Sequence, residues 1–467
     1  MSDGSSIETL LAILRTEIAR LAPGDRLPSS RDLIARHGVG PVTVSRAIAQ
    51  LAAEGAVVTR PGSGTYVTAR PPATTAAPDT SWQSVALAGR HIDARHEETA
   101  PQEPAADAAN LSGGYLHESL QPAKTLGAAL ARAARRPDAW HRAPAAGLAT
   151  LRALFARQAG GDHTPEDVLV TGGGQNALSM LFRATAAPGA PVLVESPTYP
   201  GALAAARAAG LRPVPVPMDA QGLRPDLLAD AFAMTGARLL YCQPTVHNPT
   251  GTVLAPERRR QITDVARAAG AFLIEDDFAR HLGHGRPLPR PLAADDRDGT
   301  VVHLTSLTKP ASPSLRIGAV VARGPVLHRL HSLRRADDFF IARPLQEAAV
   351  ELLSTPAWDR HLRSLGTELR RRCAVLSGAL ARELPDWAPA APPEGGLHLW
   401  LRLPPGLTEE AVVDAARAHR VAVDAGRRFF PAEPPAAHLR LAFAAAADPV
   451  ELSEAARRLA AAARTAH

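Results

Sequence analysis

The apolar positions of this chain follow two regimes. Over residues 1–68 they recur at helical spacing. Leu10, Leu11, Leu14, Ile18 and Leu21 mark one helix within Ile7–Leu21. PGDRLPSS, residues 23–30, interrupts it. Ser29 followed three residues later by Asp32 is a helix-start signal and predicts a short helix over Arg31–His37, stopped by Gly38. A further helix is predicted from Thr43 to Glu54, with Val44, Ile48 and Leu51 inward and Thr43, Arg46 and Gln50 on the opposite face. Two strand-like runs, Ala56–Arg60 and Thr65–Thr68, flank PGSG at 61–64 and read as a hairpin. Residues 69–110 are rich in Ala, Pro, Thr and Glu, carry one weak helical pattern over Trp82–Arg95, and read as a flexible linker.

From Leu111 onward, short apolar runs alternate with Ala- and Arg-rich helical patterns, which predicts an α/β fold with helices on both faces of a mostly parallel, seven-stranded sheet. The strands are expected at Val168–Val170, Val192–Glu195, Pro213–Val216, Leu239–Cys242, Phe272–Glu275, Val301–Leu304 and Ile317–Val321. A helical stretch over Pro325–Leu384 precedes Gly396–Leu403, Val421–Val423 and Leu439–Phe443, the strands of a small C-terminal α/β lobe. Three domains follow: 1–68, the linker 69–110, and 111–467, the last divided near residue 330.

Composition narrows the class. Apolar residues make up 46%, as in globular chains, and the net charge of +6 permits a polyanionic partner without requiring one. Two separated cysteines, Cys242 and Cys373, form no disulfide or metal framework, so no metal is expected and a reducing compartment is. No signal pattern and no apolar run of roughly 20 residues is present, which places the protein in the cytoplasm as an expectation.

A helix–turn–helix followed by a two-stranded wing is an arrangement that reads double-stranded DNA. The second helix of the pair enters the major groove and would present Thr43, Ser45 and Arg46, with Arg31 on a phosphate or guanine edge and Arg60 and Gly62 at the wing. A small helical docking module is the plainer alternative. The stretch PGDRLPSSRDLIARHGVGPVTVSRAIAQLAAEGAVVTRPGSGTYV resembles the winged helix–turn–helix of GntR-type bacterial regulators across nearly the whole segment.

The second regime carries the chemistry. Only two lysines, Lys124 and Lys309, occur among 52 basic residues, so arginine serves wherever charge alone suffices. A lysine kept in that background suits a task guanidinium cannot perform, losing its proton and attacking a carbonyl to form an imine. The other candidates fall at strand ends, where open α/β sheets bind ligands. TGGGQNAL (171–178) is a Gly-rich turn into a helix, suited to phosphate. SPTYPG (196–201) offers Tyr199 for stacking. QPTVHNPTG (243–251) offers Asn248 as a donor, and Asp276 follows the strand before Asp277. Ser306 and Arg316 flank Lys309. Each has an ordinary structural explanation alone. Together they suit pyridoxal 5′-phosphate.

Their order resembles fold-type I aminotransferases from Leu111 to the C-terminus, and a GntR-like segment before such a domain is similar to MocR-type transcription regulators. The resemblance implies Lys309 as the Schiff-base lysine, Asp276 on the pyridine nitrogen, Asn248 near the ring oxygen and Tyr199 stacked on the ring. It also implies Gly173, Gly174, Ser306 and Arg316 at the phosphate, and Arg440 on the carboxylate of a substrate or an amine or amino-acid effector. It further implies a homodimer with each winged helix near the partner's large domain. Two positions depart from the pattern. Phe278 stands where a tyrosine usually meets the ring oxygen, and Arg142 stands where a tyrosine usually reaches the neighbouring phosphate. The expectation is a regulator sensing an amino compound or the cofactor itself. A working aminotransferase that binds DNA, and a regulator whose second domain only dimerises, stay open as alternatives.

Overall fold

The computed structural model describes residues 3–68, 79–87, 105, 107–387 and 392–466, in two compact units, residues 1–89 and 90–467. In the first, helices α1 (Asp3–Ile18), α2 (Ser30–His37) and α3 (Pro41–Ala53) precede an antiparallel hairpin of β1 (Val57–Arg60) and β2 (Gly64–Val67). Local chemistry sets these limits. Ser29 and Asp32 form a reciprocal capping box at the start of α2, and Gly38 ends it in the left-handed region at φ 62°. Pro41 sits in the first turn of α3, where its missing N–H costs nothing. Leu10, Leu14, Leu33, Val44, Ala47 and Leu51 form the core. Each leucine there is worth roughly 2 kcal/mol of burial. The linker pattern yields one short helix, Ser81–Ala86, and the expected continuation from residue 88 to Arg95 lies outside the described residues.

The second unit is built on one large sheet. Its strands are β4 (Val168–Thr171), β5 (Pro191–Ser196), β6 (Arg212–Asp219), β7 (Gly222–Leu223), β8 (Leu239–Cys242), β9 (Phe272–Asp276), β10 (Val301–Ser306) and β11 (Gly318–Val321), after a short β3 (Ala109–Asn110) that belongs elsewhere. Their order is β4-β11-β10-β9-β8-β5-β6-β7. All seven expected strands are present, and the sheet has eight because the two-residue β7 pairs antiparallel with β6 at the edge. Two residues containing a glycine leave no alternation to read. Along β5, Val192 and Val194 enter one core and Leu193 the other, the period-2 signature of a sheet covered on both faces.

β5, β6, β8, β9 and β10 run parallel, while β11 is antiparallel to both β10 and β4. The carboxyl ends of β4, β5, β8, β9 and β10 therefore meet the amino end of β11 along one edge. In the small lobe, β12 (His398–Arg402), β15 (His438–Ala442) and β14 (Asp424–Ala425) form a sheet, and β13 (Val421–Ala422) pairs with β3. That pairing carries Ala109, Leu111 and Leu116 into the small-lobe core. Conversely, Leu352 and Trp358, beyond residue 330, pack against β4 and β11 of the large part.

Candidate functional site

The register explains the first half of the site. Gly318 lies opposite Thr171 on one side and Ser306 on the other, which draws the Gly-rich turn, the Lys309 loop and Arg316 together. Gly173 has φ 87°, and a Cβ there would meet Arg316 Cζ at 3.0 Å and Thr308 Oγ1 at 3.1 Å, so only glycine permits this approach. Arg316, itself left-handed at φ 50°, donates from Nη2 to Gly172 O at 2.7 Å. Ser306 Oγ donates to Thr308 Oγ1 at 2.9 Å. These groups surround the N-terminus of the helix Gly174–Thr185, whose first N–H groups have no partner within the helix. A guanidinium, two hydroxyls and a helix N-terminus are together able to hold a phosphate.

β9 supplies the anion. Asp276 is buried, and its Oδ2 accepts from Tyr241 Oη at 2.7 Å and Gln243 Nε2 at 3.0 Å. Among the described residues its Oδ1 has no hydrogen-bond partner. Burial raises this carboxyl above the usual carboxylate range, against the pull of the Tyr241 and Gln243 bonds. An unpaired buried carboxylate oxygen facing a cleft suits a ligand N–H.

Lys309 lies three residues beyond β10, within the same cleft of about 330 Å³. Its Nζ donates to Gly114 O at 2.7 Å and lies 3.8 Å from the centre of the Tyr115 ring. Burial pulls the ammonium down to about 7, with Arg440 and Arg316 acting in the same direction and Asp276 opposing them. About half of the amine is thus neutral, and so nucleophilic, near pH 7. Tyr199 stands across the cleft, its hydroxyl donating to Gln175 Oε1 at 3.2 Å, and burial pushes the phenol up to about 12. Asn248 receives Arg440 Nη1 on Oδ1 at 3.0 Å.

Gly174, Tyr199, Asn248, Asp276, Ser306, Lys309, Arg316 and Arg440 all line this one cleft, and Gly173 is the N-cap of the helix that begins at Gly174. Phe278 also lines it, without a donor, and Arg142 is solvent-exposed. The sequence reading left Tyr115, Thr308, His398 and Arg428 of the lining, and Tyr241 and Gln243 behind Asp276, without roles. Burial keeps the His398 imidazole well below its ordinary pKa, and its Nε2 has no partner.

In the first unit, Ser45, Arg46 and Gln50 are exposed on one face of α3, and Arg31 is exposed near the start of α2. Arg60 and Gly62 are exposed at the hairpin, with Arg60 Cζ 5.1 Å from the Tyr66 ring centre. Thr43 departs from expectation. It is 9% exposed and joins Val44, Ala47 and Leu51 on the buried face. Positions 43, 47 and 51 recur one helical turn apart, so Thr43 shares the inward stripe and is not placed to read bases.

Comparison with known proteins agrees with both halves. Residues 7–67 match the gntR family of bacterial regulatory proteins, and residues 111–459 match aminotransferase class I and II. The HTH-type transcriptional regulator YdcR of Escherichia coli is 31% identical over 428 residues, covering 89% of this chain and 90% of that protein. The probable rhizopine catabolism regulatory protein MocR of Rhizobium meliloti is 28% identical over 440 residues, covering 90% and 86%. The 2-aminoadipate transaminase of Thermus thermophilus is 31% identical over 355 residues, covering 75% and 88%. Among solved structures, the α-aminoadipate aminotransferase LysN of Thermus thermophilus, complexed with N-(5′-phosphopyridoxyl)-L-leucine, superposes with a TM-score of 0.75 at 29% identity, covering 82% of this chain and 98% of that one.

Proposed function

The chain belongs to the MocR-type subfamily of GntR regulators, a winged helix–turn–helix joined to an aminotransferase-like domain, and on that premise we propose that it regulates transcription by sensing an amino compound, or pyridoxal phosphate itself, through Lys309. The GntR-type unit binds DNA, and the aminotransferase class I and II fold takes pyridoxal 5′-phosphate.

The residues present fit that cofactor. Asp276 Oδ1 would accept a ring N–H that relieves its own lack of a partner. Gly173, Gly174, Ser306, Thr308 and Arg316 would hold a phosphate, Tyr199 would cover a ring face, and Asn248 would meet a ring oxygen. When bound, the cofactor supplies an aldehyde for an amine to capture and a ring that withdraws electrons. Lys309 contributes an amine of which about half is neutral near pH 7. The Tyr115 ring lies against that amine, 3.8 Å from Nζ to the ring centre.

The observation that carries the reading is Asp276 Oδ1, buried and unpartnered in the cleft that also holds Lys309, on a chain whose α3 exposes Ser45 and Arg46. Regulation then requires that an effector favour one arrangement of the protein over another. The working form would be a cytoplasmic homodimer with each winged helix lying near the partner's large domain. Purified full-length protein should show a visible absorbance abolished by borohydride, and the effector should change both that spectrum and the affinity for a promoter fragment. A chain that binds DNA but shows no such absorbance would reduce the second unit to a dimerisation module.

A working aminotransferase is the second reading, favoured by the intact Lys309–Asp276–Arg316 set. Phe278, which brings no hydroxyl to the cleft, weighs against it. Steady turnover of an amino donor with a keto acceptor would decide for it.

A further inference from the structure

Arg440 lies in the cleft with most of its donors already engaged. Nε and Nη2 donate to Asp424 Oδ2 at 3.2 and 2.5 Å, Nη2 also donates to Gly113 O at 2.7 Å, and Nη1 donates to Asn248 Oδ1 at 3.0 Å. A guanidinium has five N–H donors in a fixed plane, so one N–H on Nη1 is left for a ligand. The bidentate face, the one that ordinarily grips a carboxylate, is turned to Asp424. Asp424 is 3% exposed and is fixed further by Gly113 N–H, which donates to Oδ2 at 3.0 Å.

Arg428 completes the cluster. Its Nη1 reaches the other oxygen, Asp424 Oδ1, at 3.3 Å, while its Nε is buried without a partner among the described residues. It lines the cleft beside Tyr199 and Phe429. Two guanidinium groups against one carboxylate leave a single positive charge.

We propose that Arg428, Asp424 and Arg440 form a charge-counting effector subsite, in which Arg428 and the remaining Nη1–H of Arg440 take one carboxylate, and Asp424, by cancelling Arg440, discriminates against dicarboxylates. The inference rests on the reading that the cleft receives an amino compound, and it names the class: a monocarboxylate amine. A second carboxylate would find no uncompensated guanidinium left in this cluster, and burying an unmatched charge is disfavoured.

The test uses the full-length, cofactor-loaded chain, titrated by calorimetry with n-propylamine, L-alanine and L-glutamate. L-Alanine should bind about tenfold or more tighter than L-glutamate. Asp424→Asn keeps the shape and adds one net positive charge, and should narrow or invert that ratio. Arg428→Gln should weaken L-alanine by about tenfold or more and n-propylamine far less. Tighter L-glutamate than L-alanine in the parent chain overturns the proposal, as does an Arg428→Gln variant that loses both ligands equally or neither. If Asp424→Asn does not fold, the order of L-alanine and L-glutamate in the parent chain decides the discrimination, and Arg428→Gln, whose side chain is partly exposed, decides the carboxylate contact. A parent chain without borohydride-sensitive absorbance before any amine is added overturns the cofactor reading and this inference with it, whereas normal absorbance with the wrong binding order overturns this inference only.

Discussion

Tyr241 on β8 and Asp276 on β9 are joined by a 2.7 Å hydrogen bond in which the phenol donates to Oδ2. Burial first, and then the neighbouring carboxylate, push the Tyr241 phenol well above its ordinary pKa, so it stays a donor throughout the accessible range. Gln243 donates to the same oxygen at 3.0 Å. Two donors on Oδ2 orient the carboxylate and leave Oδ1 for the cleft.

Tyr241→Phe keeps the buried ring and removes one bond to a charged acceptor, worth about 1.5–3 kcal/mol. Asp276 should become harder to ionise. Affinity for pyridoxal 5′-phosphate, read by absorbance titration, should fall by about tenfold or more. An unchanged dissociation constant would mean that Gln243 alone orients the carboxylate.

Lys309 sets a pH dependence. Only the neutral amine attacks an aldehyde, and with its pKa lowered to about 7 the reactive fraction grows as pH rises through that value. Stopped-flow reconstitution of cofactor-free protein should therefore accelerate from pH 6 to pH 8 and then level off. A rate still climbing at pH 10 would place the amine near its ordinary pKa. Lys309→Ala should lose the borohydride-sensitive absorbance and still bind the promoter fragment.

Phe278 brings no hydroxyl to the cleft. Phe278→Tyr introduces a donor there, and a hydrogen bond to a ring oxygen stabilises the deprotonated form of the lysine-bound cofactor. The pH midpoint of the visible absorbance should move down, by about one unit for a bond of ordinary charge-assisted strength. A midpoint that does not move would show that the new hydroxyl fails to reach the ring oxygen.

Arg46 is exposed on α3 beside Ser45. Arg46→Ala should weaken promoter binding, and if its contact is to phosphate the slope of log affinity against log salt should drop by about 1. Thr43→Ala, on the buried face, should leave the salt slope alone and act through the stability of the first unit. Fluorescence anisotropy at several salt concentrations separates the two.

Much of this was readable in the residues, for physical reasons that differ from place to place. Lys309 stood out because arginine displaced lysine nearly everywhere else. Asp276 stood out because it follows an apolar strand. Tyr241 did not, because in LLYC it reads as one more buried strand residue and its hydroxyl acquires meaning only across the register to β9. Asp424 and Arg428 come from a short segment with little periodicity. Only the pairing of β14 with β15, which sets Asp424 opposite Arg440, brings them to the cleft. Thr43 was misplaced because small Ala47 widens the inward stripe of α3 beyond its large apolar residues.

The segment Gly113–Leu116 meets both lobes. Gly114 O holds Lys309 Nζ and Gly113 O holds Arg440, while Leu116, two residues on, is packed in the small-lobe core. It follows β3, whose pairing with β13 already ties Ala109 and Asn110 to the small lobe. Whatever takes possession of the lysine nitrogen removes a proton donor from Gly114 O. The backbone of Gly113 and Gly114, and not only the side chains of the cleft, therefore registers whether the amine is occupied.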